Sequence, residues 1–258
     1  MEFGICMKPE QSERARKAGF SFIDQTVAAV VMPDATDAEF EYAWAEHSRA
    51  ALPTLNLNCL LPGGLFVAGP QAELAKAVDY CSLAFQRAGR IGIKTICFGS
   101  GNGRRCPEGW PMARALEQIQ DFITKLLPVV EASGVKLVVE NLQASETNTL
   151  NKVTDIVDLV SRFDSLAVGI LVDGFHWSRN NDTAEAVAAA GSRIFHTHIA
   201  TYQTRLGPGL EPCDFSSFAH ALASSGYSGR MAIEGGLQDQ SEATFQRMFA
   251  TLSEAFNV

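Results

Sequence analysis

The sequence predicts an α/β protein folded as a single (β/α)8 barrel, and three observations carry that expectation. Short apolar, β-branched runs alternate with longer stretches of helical periodicity. Eight such runs fit into 258 residues, the number and length that this barrel needs. Glycine in a small-residue setting precedes most of the runs, as in "KAGF", "EASGVK" and "SSGYSGR". A left-handed glycine there would end one helix just before the next strand begins.

In chain order, the first four strand-like runs are "FGICM" (3–7), "FSFIDQ" (20–25), "PTLNLN" (53–58) and "IKTICF" (93–98). The second four are "VKLVVEN" (135–141), "LAVGILVD" (166–173), "RIFHTHIA" (193–200) and "RMAIEGG" (230–236). Helices are expected between them. Residues 70–89 set Leu74, Val78, Cys81 and Phe85 at helical spacing, with Pro70 near the start. Residues 111–133 place Leu116, Ile119, Phe122, Ile123, Leu126 and Leu127 on one stripe, and 240–256 opens at Ser241. Strand–helix alternation of this kind implies βαβ units and a parallel sheet. The competing architecture is an open doubly wound sheet, but its phosphate-loop signature is missing. "GSGNGR" (99–104) runs G-x-G-x-G, and no helix starts until about Pro111. No linker or low-complexity stretch divides the chain, so 1–258 reads as one TIM-barrel domain.

Composition narrows the function classes. With 47% hydrophobic and 19% charged residues, the chain has ordinary globular composition. Its net charge of −8 argues against nucleic acid as a partner, because phosphate binding needs a basic face. No apolar stretch approaches the ~20 residues of a membrane span. The six cysteines show no CxxC spacing and read as small core residues of a reduced protein. The N-terminus lacks the basic and apolar regions of a signal peptide, so a cytoplasmic location is expected.

In such a barrel, chemistry gathers at the C-terminal ends of the strands. Four consecutive runs end in polar residues: Glu140, Asp173 with His176 three residues later, His198, and Glu234. Each follows an apolar run, where an ionised carboxylate is costly unless it is paired or holds a metal. Any one of them alone would read as a helix cap or an arginine partner. Together they form a mainly oxygen donor set that suits one divalent ion, Mn²⁺, Mg²⁺ or Co²⁺, with Zn²⁺ also compatible. His196 and His198, at i and i+2, point to the same face of their strand. From the residues alone they stand as two ligands, one ligand with its neighbour, or two core histidines. Arg104 and Arg105 read as either a solvated basic pair or a phosphate site. Trp110, Trp177 and Phe66 read as loop residues that line the mouth or simply pack there.

These stretches resemble the xylose isomerase-like barrels, in particular the sugar phosphate isomerase/epimerase group with its ketose 3-epimerases, hydroxypyruvate isomerases and inosose dehydratases. The resemblance rests on "LNCLLPGGLFVAGP" (57–70), "CFGSGNGRRCPEGW" (97–110), "VVENLQASETNTLN" (138–151), "LVDGFHW" (171–177), "HTHIATYQTRLGPG" (196–209) and "MAIEGG" (231–236). It implies that Glu140, Asp173, His198 and Glu234 bind the metal. It implies that Glu140 and Glu234 also form the acid/base pair, and that Glu146, His176 and Arg205 face the substrate. His196 then becomes a packed neighbour one layer below the ligand. The implied activity is isomerisation or epimerisation of a sugar, sugar phosphate or related keto compound, by proton removal next to a carbonyl through a metal-stabilised enediolate. The same residues would also serve a lyase or dehydratase, of the inosose dehydratase or 3-keto-glycoside type, if a leaving group sat on the β carbon. A homodimer or homotetramer is implied as well. Two departures from the group's pattern are "NL" at 141–142, where many relatives have Pro-Leu, and "DGFHW" after the sixth run. Two other classes fare worse. The DNA-repair endonucleases of this barrel need many more histidines than the five present, and a non-catalytic sugar-binding barrel would not need both glutamates.

Overall fold

The computed structural model describes residues 1–257. Eight parallel strands close into a barrel in sequence order, with the first strand paired to both the second and the eighth. The first quarter of the chain gives β1 (Glu2–Cys6), α1 (Ser12–Ala18), β2 (Phe22–Thr26), two short helices α2 (Val27–Val30) and α3 (Asp37–His47), and β3 (Thr54–Asn58). The two long helices follow: α4 (Leu74–Arg90), then β4 (Thr95–Phe98), then α5 (Met112–Ser133) and β5 (Lys136–Glu140). Next come α6 (Val153–Val160), β6 (Val168–Asp173), the helices α7 (Gly174–Arg179) and α8 (Ala184–Ala190), and β7 (Ile194–Ile199). The chain closes with α9 (Ser216–Ser225), β8 (Arg230–Ile233) and α10 (Glu242–Ala255).

All eight expected strands are present, each within about two residues of its predicted start. The helix stops are also where the glycines put them. Gly19, Gly134 and Gly226 cap α1, α5 and α9 in the left-handed conformation, where a side chain would be strained. Gly191 differs: with φ 48° and ψ −131° it opens a 3-10 turn over Gly191–Arg193 that leads straight into β7. Helix α4 begins at Leu74, later than the expected start at 70, because the chain turns through residues 70–72 first.

The main hydrophobic core lies between the strands and the helix ring, as the stripe on α5 requires: Ile119, Phe122, Ile123 and Leu126 are all fully buried. A second, small cluster of Cys97, Val138 and Leu171, with Phe195 against it, fills the barrel interior. Polar residues share that interior, His196 level with Leu171 and Asn56 beside Thr95, and the strands' C-terminal ends carry Glu140, Asp173 and His198 above them. Among the described residues, no helix is long and apolar enough to cross a membrane.

Candidate active site

Register decides which side chains meet. Asp173 lies beside His198, and His198 beside Ala232, two residues before Glu234. Glu140 lies beside Leu171, two residues before Asp173. The donor atoms of Glu140, Asp173, His198 and Glu234 all lie within 4.8 Å of one another. His198 Nδ1 stands 3.4 Å from Glu140 Oε1, 4.0 Å from Asp173 Oδ2 and 3.6 Å from Glu234 Oε2.

Three of these atoms, Glu140 Oε1, Asp173 Oδ2 and His198 Nδ1, are buried without a hydrogen-bond partner among the described residues. Buried polar atoms are otherwise almost always satisfied. Their other atoms are accounted for. Asp173 Oδ1 accepts the backbone N–H of His176 at 2.9 Å and so caps α7, leaving Oδ2 free. Glu140 Oε2 accepts from the Cys97 thiol at 3.2 Å, leaving Oε1 free. Three carboxylates and one imidazole gathered this closely, three of their donor atoms without a partner, fit a divalent cation.

The charges in the site pull its members apart. Burial alone would raise the Glu140 pKa, but the positive charge of the His198 imidazole, 3.4 Å from its Oε1, holds this carboxyl well below the usual range. Burial pushes Glu234 up to about 7, opposed by His198 and assisted by the nearby charges of Glu140 and Asp173. Burial would lower His198, yet the carboxylates of Glu234, Asp24 and Glu140 raise it well above its ordinary value. The pocket thus draws positive charge, and a proton and a cation compete for the same donors.

The imidazole is aimed from behind. Asp24 on β2 accepts from His198 Nε2 at 3.1 Å, from His196 Nε2 at 2.7 Å and from Asn56 Nδ2 at 2.9 Å, all on its Oδ2. An ionised carboxylate only accepts, so it keeps a proton on Nε2 of His198 and turns Nδ1 toward the other carboxylates. The paired histidines therefore have different jobs: His198 faces the donor cluster, and His196 braces Asp24. Asn56 Nδ2 also reaches Asn58 Oδ1 at 2.6 Å, and Asn58 Nδ2 reaches Glu234 Oε1 at 3.3 Å. A polar chain across the barrel interior so joins His198 to Glu234. Asp24, Asn56 and Asn58 were not singled out from the sequence. Their signal was present, since "LNLN" alternates apolar and polar residues and "FIDQ" sets an aspartate directly after two apolar residues of a strand.

Arg205 sits at φ 58°, in the left-handed region, and donates to Glu234 Oε2 at 2.6 Å and to Glu146 Oε1 at 3.1 Å. Its guanidinium lies over the Phe175 ring at 5.0 Å. His176 is fully buried; its Nδ1 accepts the Gln143 N–H at 3.2 Å, and its Nε2 lies 3.4 Å from Arg205 and 3.9 Å from Glu146. Glu146, His176 and Arg205 thus form one group that borders the carboxylate cluster through Glu234.

Several loop readings are corrected. Arg104 is neither a solvated charge nor a phosphate cradle. Arg104 is fully buried and donates to the carbonyls of Phe98 (3.2 Å) and Glu140 (2.7 Å), tying the ends of β4 and β5 together. Arg105 donates to the Glu146 carbonyl at 2.8 Å. The glycine-rich stretch gives room to the site: a Cβ at Gly99 would lie 2.2 Å from Glu140 Oε2. Trp177 belongs to α7, not to a mouth loop. It packs on Phe218 with its indole N–H bonded to the Thr183 carbonyl at 3.2 Å. Asn141, the first departure from the group's pattern, receives the Asp173 N–H at 2.9 Å and donates to the Asp173 carbonyl at 3.3 Å. It locks the strand end that presents Asp173. Phe66 does line a cavity, one of about 460 Å³ between the loops after β3 and β4, with Cys59, Leu61, Gln71, Ser100 and Asn102.

A sequence model of the xylose isomerase-like TIM barrel family matches residues 12–252. The chain belongs to that family. A D-psicose 3-epimerase of Ruminiclostridium cellulolyticum is 29% identical over 46% of this chain and 40% of its own length. A probable ketose 3-epimerase of Synechocystis is 25% identical over 70% of this chain and 62% of its own length. The matched stretches thus span less than two thirds of either relative. In fold, the chain is similar over its full length to a 3-keto-D-glucoside 4-epimerase from E. coli, covering all of that chain, with TM-score 0.79 at 18% identity. It is also similar to the IOLI protein, whose structure holds a zinc atom, covering 100% of this chain and 98% of that one (TM-score 0.73, 17% identity).

Proposed function

We propose that this protein is a divalent-metal-dependent isomerase or epimerase that acts on a sugar, sugar phosphate or related keto compound. The observation that carries the reading is the pair Glu140 and Glu234, gathered with Asp173 around His198, where Glu140 Oε1, Asp173 Oδ2 and His198 Nδ1 are buried without partners. Glu140, Asp173, His198 and Glu234 would hold the ion. When bound, a divalent cation supplies Lewis-acid polarisation of a carbonyl, which makes the neighbouring C–H acidic.

The protein's own groups do the proton work. One glutamate accepts the proton from carbon, and the other returns one to the opposite face, inverting the centre. Arg205 holds Glu234 Oε2, so the side chain stays aimed while its proton affinity changes. Glu146, His176 and Arg205 supply one carboxylate, one imidazole and one guanidinium for substrate hydroxyls. A ketohexose such as D-psicose is the first substrate to try, since the family relatives above include a D-psicose 3-epimerase. The free cysteines fit a reducing compartment such as the cytoplasm.

The test is turnover of a ketose panel by the Mn²⁺-loaded full chain, with products separated by chromatography. Epimer formation that depends on added metal and on both glutamates supports the reading. A new enone absorbance instead of an epimer would make the enzyme a lyase. Unchanged turnover after Glu140→Ala or Glu234→Ala would end the assignment of the proton pair.

A further inference from the structure

We infer that the mouth also holds a second, overlapping ion position, in which Cys6 takes the place of Glu140 and Asp173, and that this position selects a soft divalent ion such as Zn²⁺ or Cd²⁺. The inference rests on the metal-site reading above and deepens it. Cys6 ends β1 and lies in register with Asp24 on β2. The donor atoms of Cys6, His198 and Glu234 lie within 4.8 Å of one another. Of the six cysteines, Cys6 alone joins such a cluster among the described residues. Asn58 Nδ2 reaches both Cys6 Sγ, at 3.4 Å, and Glu234 Oε1, at 3.3 Å, and so holds the two donors side by side. His198, shared by both sets, is fully buried with an unpartnered Nδ1.

The two sets differ in chemistry. Glu140, Asp173, His198 and Glu234 offer three carboxylates and one nitrogen, a hard set. Cys6, His198 and Glu234 offer sulfur, nitrogen and oxygen, which thiophilic ions prefer. One thiolate and one carboxylate balance a double positive charge, whereas the hard set carries three negative charges. On coordination the Cys6 thiol gives its proton to solvent and the sulfur lone pair goes to the ion. Three protein donors leave a fourth tetrahedral position for water, an arrangement that suits Zn²⁺. Because His198 and Glu234 serve both sets, the two positions exclude each other. A soft ion therefore competes with Mn²⁺ and leaves Glu140 and Asp173 unused.

The experiment loads the full chain with Cd²⁺ and records its absorption, with metal content measured by elemental analysis. The expected result is an ultraviolet thiolate-to-cadmium charge-transfer band that Cys6→Ser abolishes while Cys59→Ser and Cys97→Ser retain it. Bound Cd²⁺ without that band, or a band that survives Cys6→Ser, overturns the inference and leaves the carboxylate site standing. Failure of the wild-type chain to retain Cd²⁺ or Mn²⁺ at all overturns the metal-site reading itself. Cadmium-113 NMR of the unmutated protein gives a check that needs no variant: a resonance in the thiolate-ligated range supports Cys6, and one in the oxygen and nitrogen range contradicts it.

Discussion

Glu140 and Glu234 are the same residue type at the ends of two strands, yet the protein holds them very differently. The side chain of Glu140 is 7% exposed and that of Glu234 is 27% exposed. Strand and strand-end groups hold Glu140: the Cys97 thiol, the narrow gap left by Gly99, and Arg104 on its carbonyl. Glu234 begins the loop after β8 and is held by two side chains, Arg205 and Asn58. The result is a fixed, strongly acidic carboxylate beside an adjustable one that burial and like charges push up to about 7. Two carboxylates whose environments separate their proton affinities are what a two-face proton transfer needs.

The largest effects are expected at the carboxylates themselves. Glu140→Gln and Glu234→Gln should each lower turnover by about 10²–10⁴-fold, the range for removal of a general acid or base, read as steady-state rate under saturating metal. Next in size is the brace behind the imidazole. Asp24→Asn removes the anion that fixes His198, and it should weaken metal affinity by about 10–100-fold, measured by competition with a chromophoric chelator. Unchanged affinity would mean that the buried network is packing alone.

Gly99→Ala probes the rigid half. The added methyl overlaps Glu140 Oε2, so the variant should cost about 1–3 kcal/mol in chemical denaturation and lower metal affinity with it. A loss of stability without a loss of affinity would show that Glu140 moves freely, contrary to the contrast drawn above.

The smallest effect is a pH dependence on the adjustable half. Glu234 and His198 both hold a proton more tightly than usual, so a cation must displace protons to bind. A group with a raised pKa keeps its proton up to that raised value. Metal binding therefore releases the Glu234 proton as long as the pH lies below about 7, and affinity rises with pH through that region. The gain in melting temperature on adding Mn²⁺ should be larger at about pH 8 than at about pH 6. Arg205→Ala should move this transition to higher pH, because the guanidinium lowers the Glu234 proton affinity.

The barrel and the gathering of the four strand-end polar residues are legible because each depends on local pattern. A glycine stops a helix, an apolar run makes a strand, and its last residue faces the mouth. The chain Asp24–Asn56–Asn58 was harder, because it depends on which strands become neighbours and in what register. Arg104 and Trp177 misled for the opposite reason. In the linear sequence an arginine pair looks solvated and a tryptophan after a strand end looks like loop. Only the closed barrel buries one under two carbonyls and turns the other into a helix.

The central claim is that Glu140 and Glu234 exchange a proton with the carbon next to a carbonyl. Its most direct test is turnover of a ketose in D₂O by the Mn²⁺-loaded protein, with the epimer analysed by NMR. One deuterium is expected at the inverted carbon of every product molecule, with epimer formed about 10²–10⁴-fold more slowly by Glu140→Gln and Glu234→Gln. Epimer that retains the original hydrogen, or epimer formed at the unmutated rate by both variants, would contradict the claim.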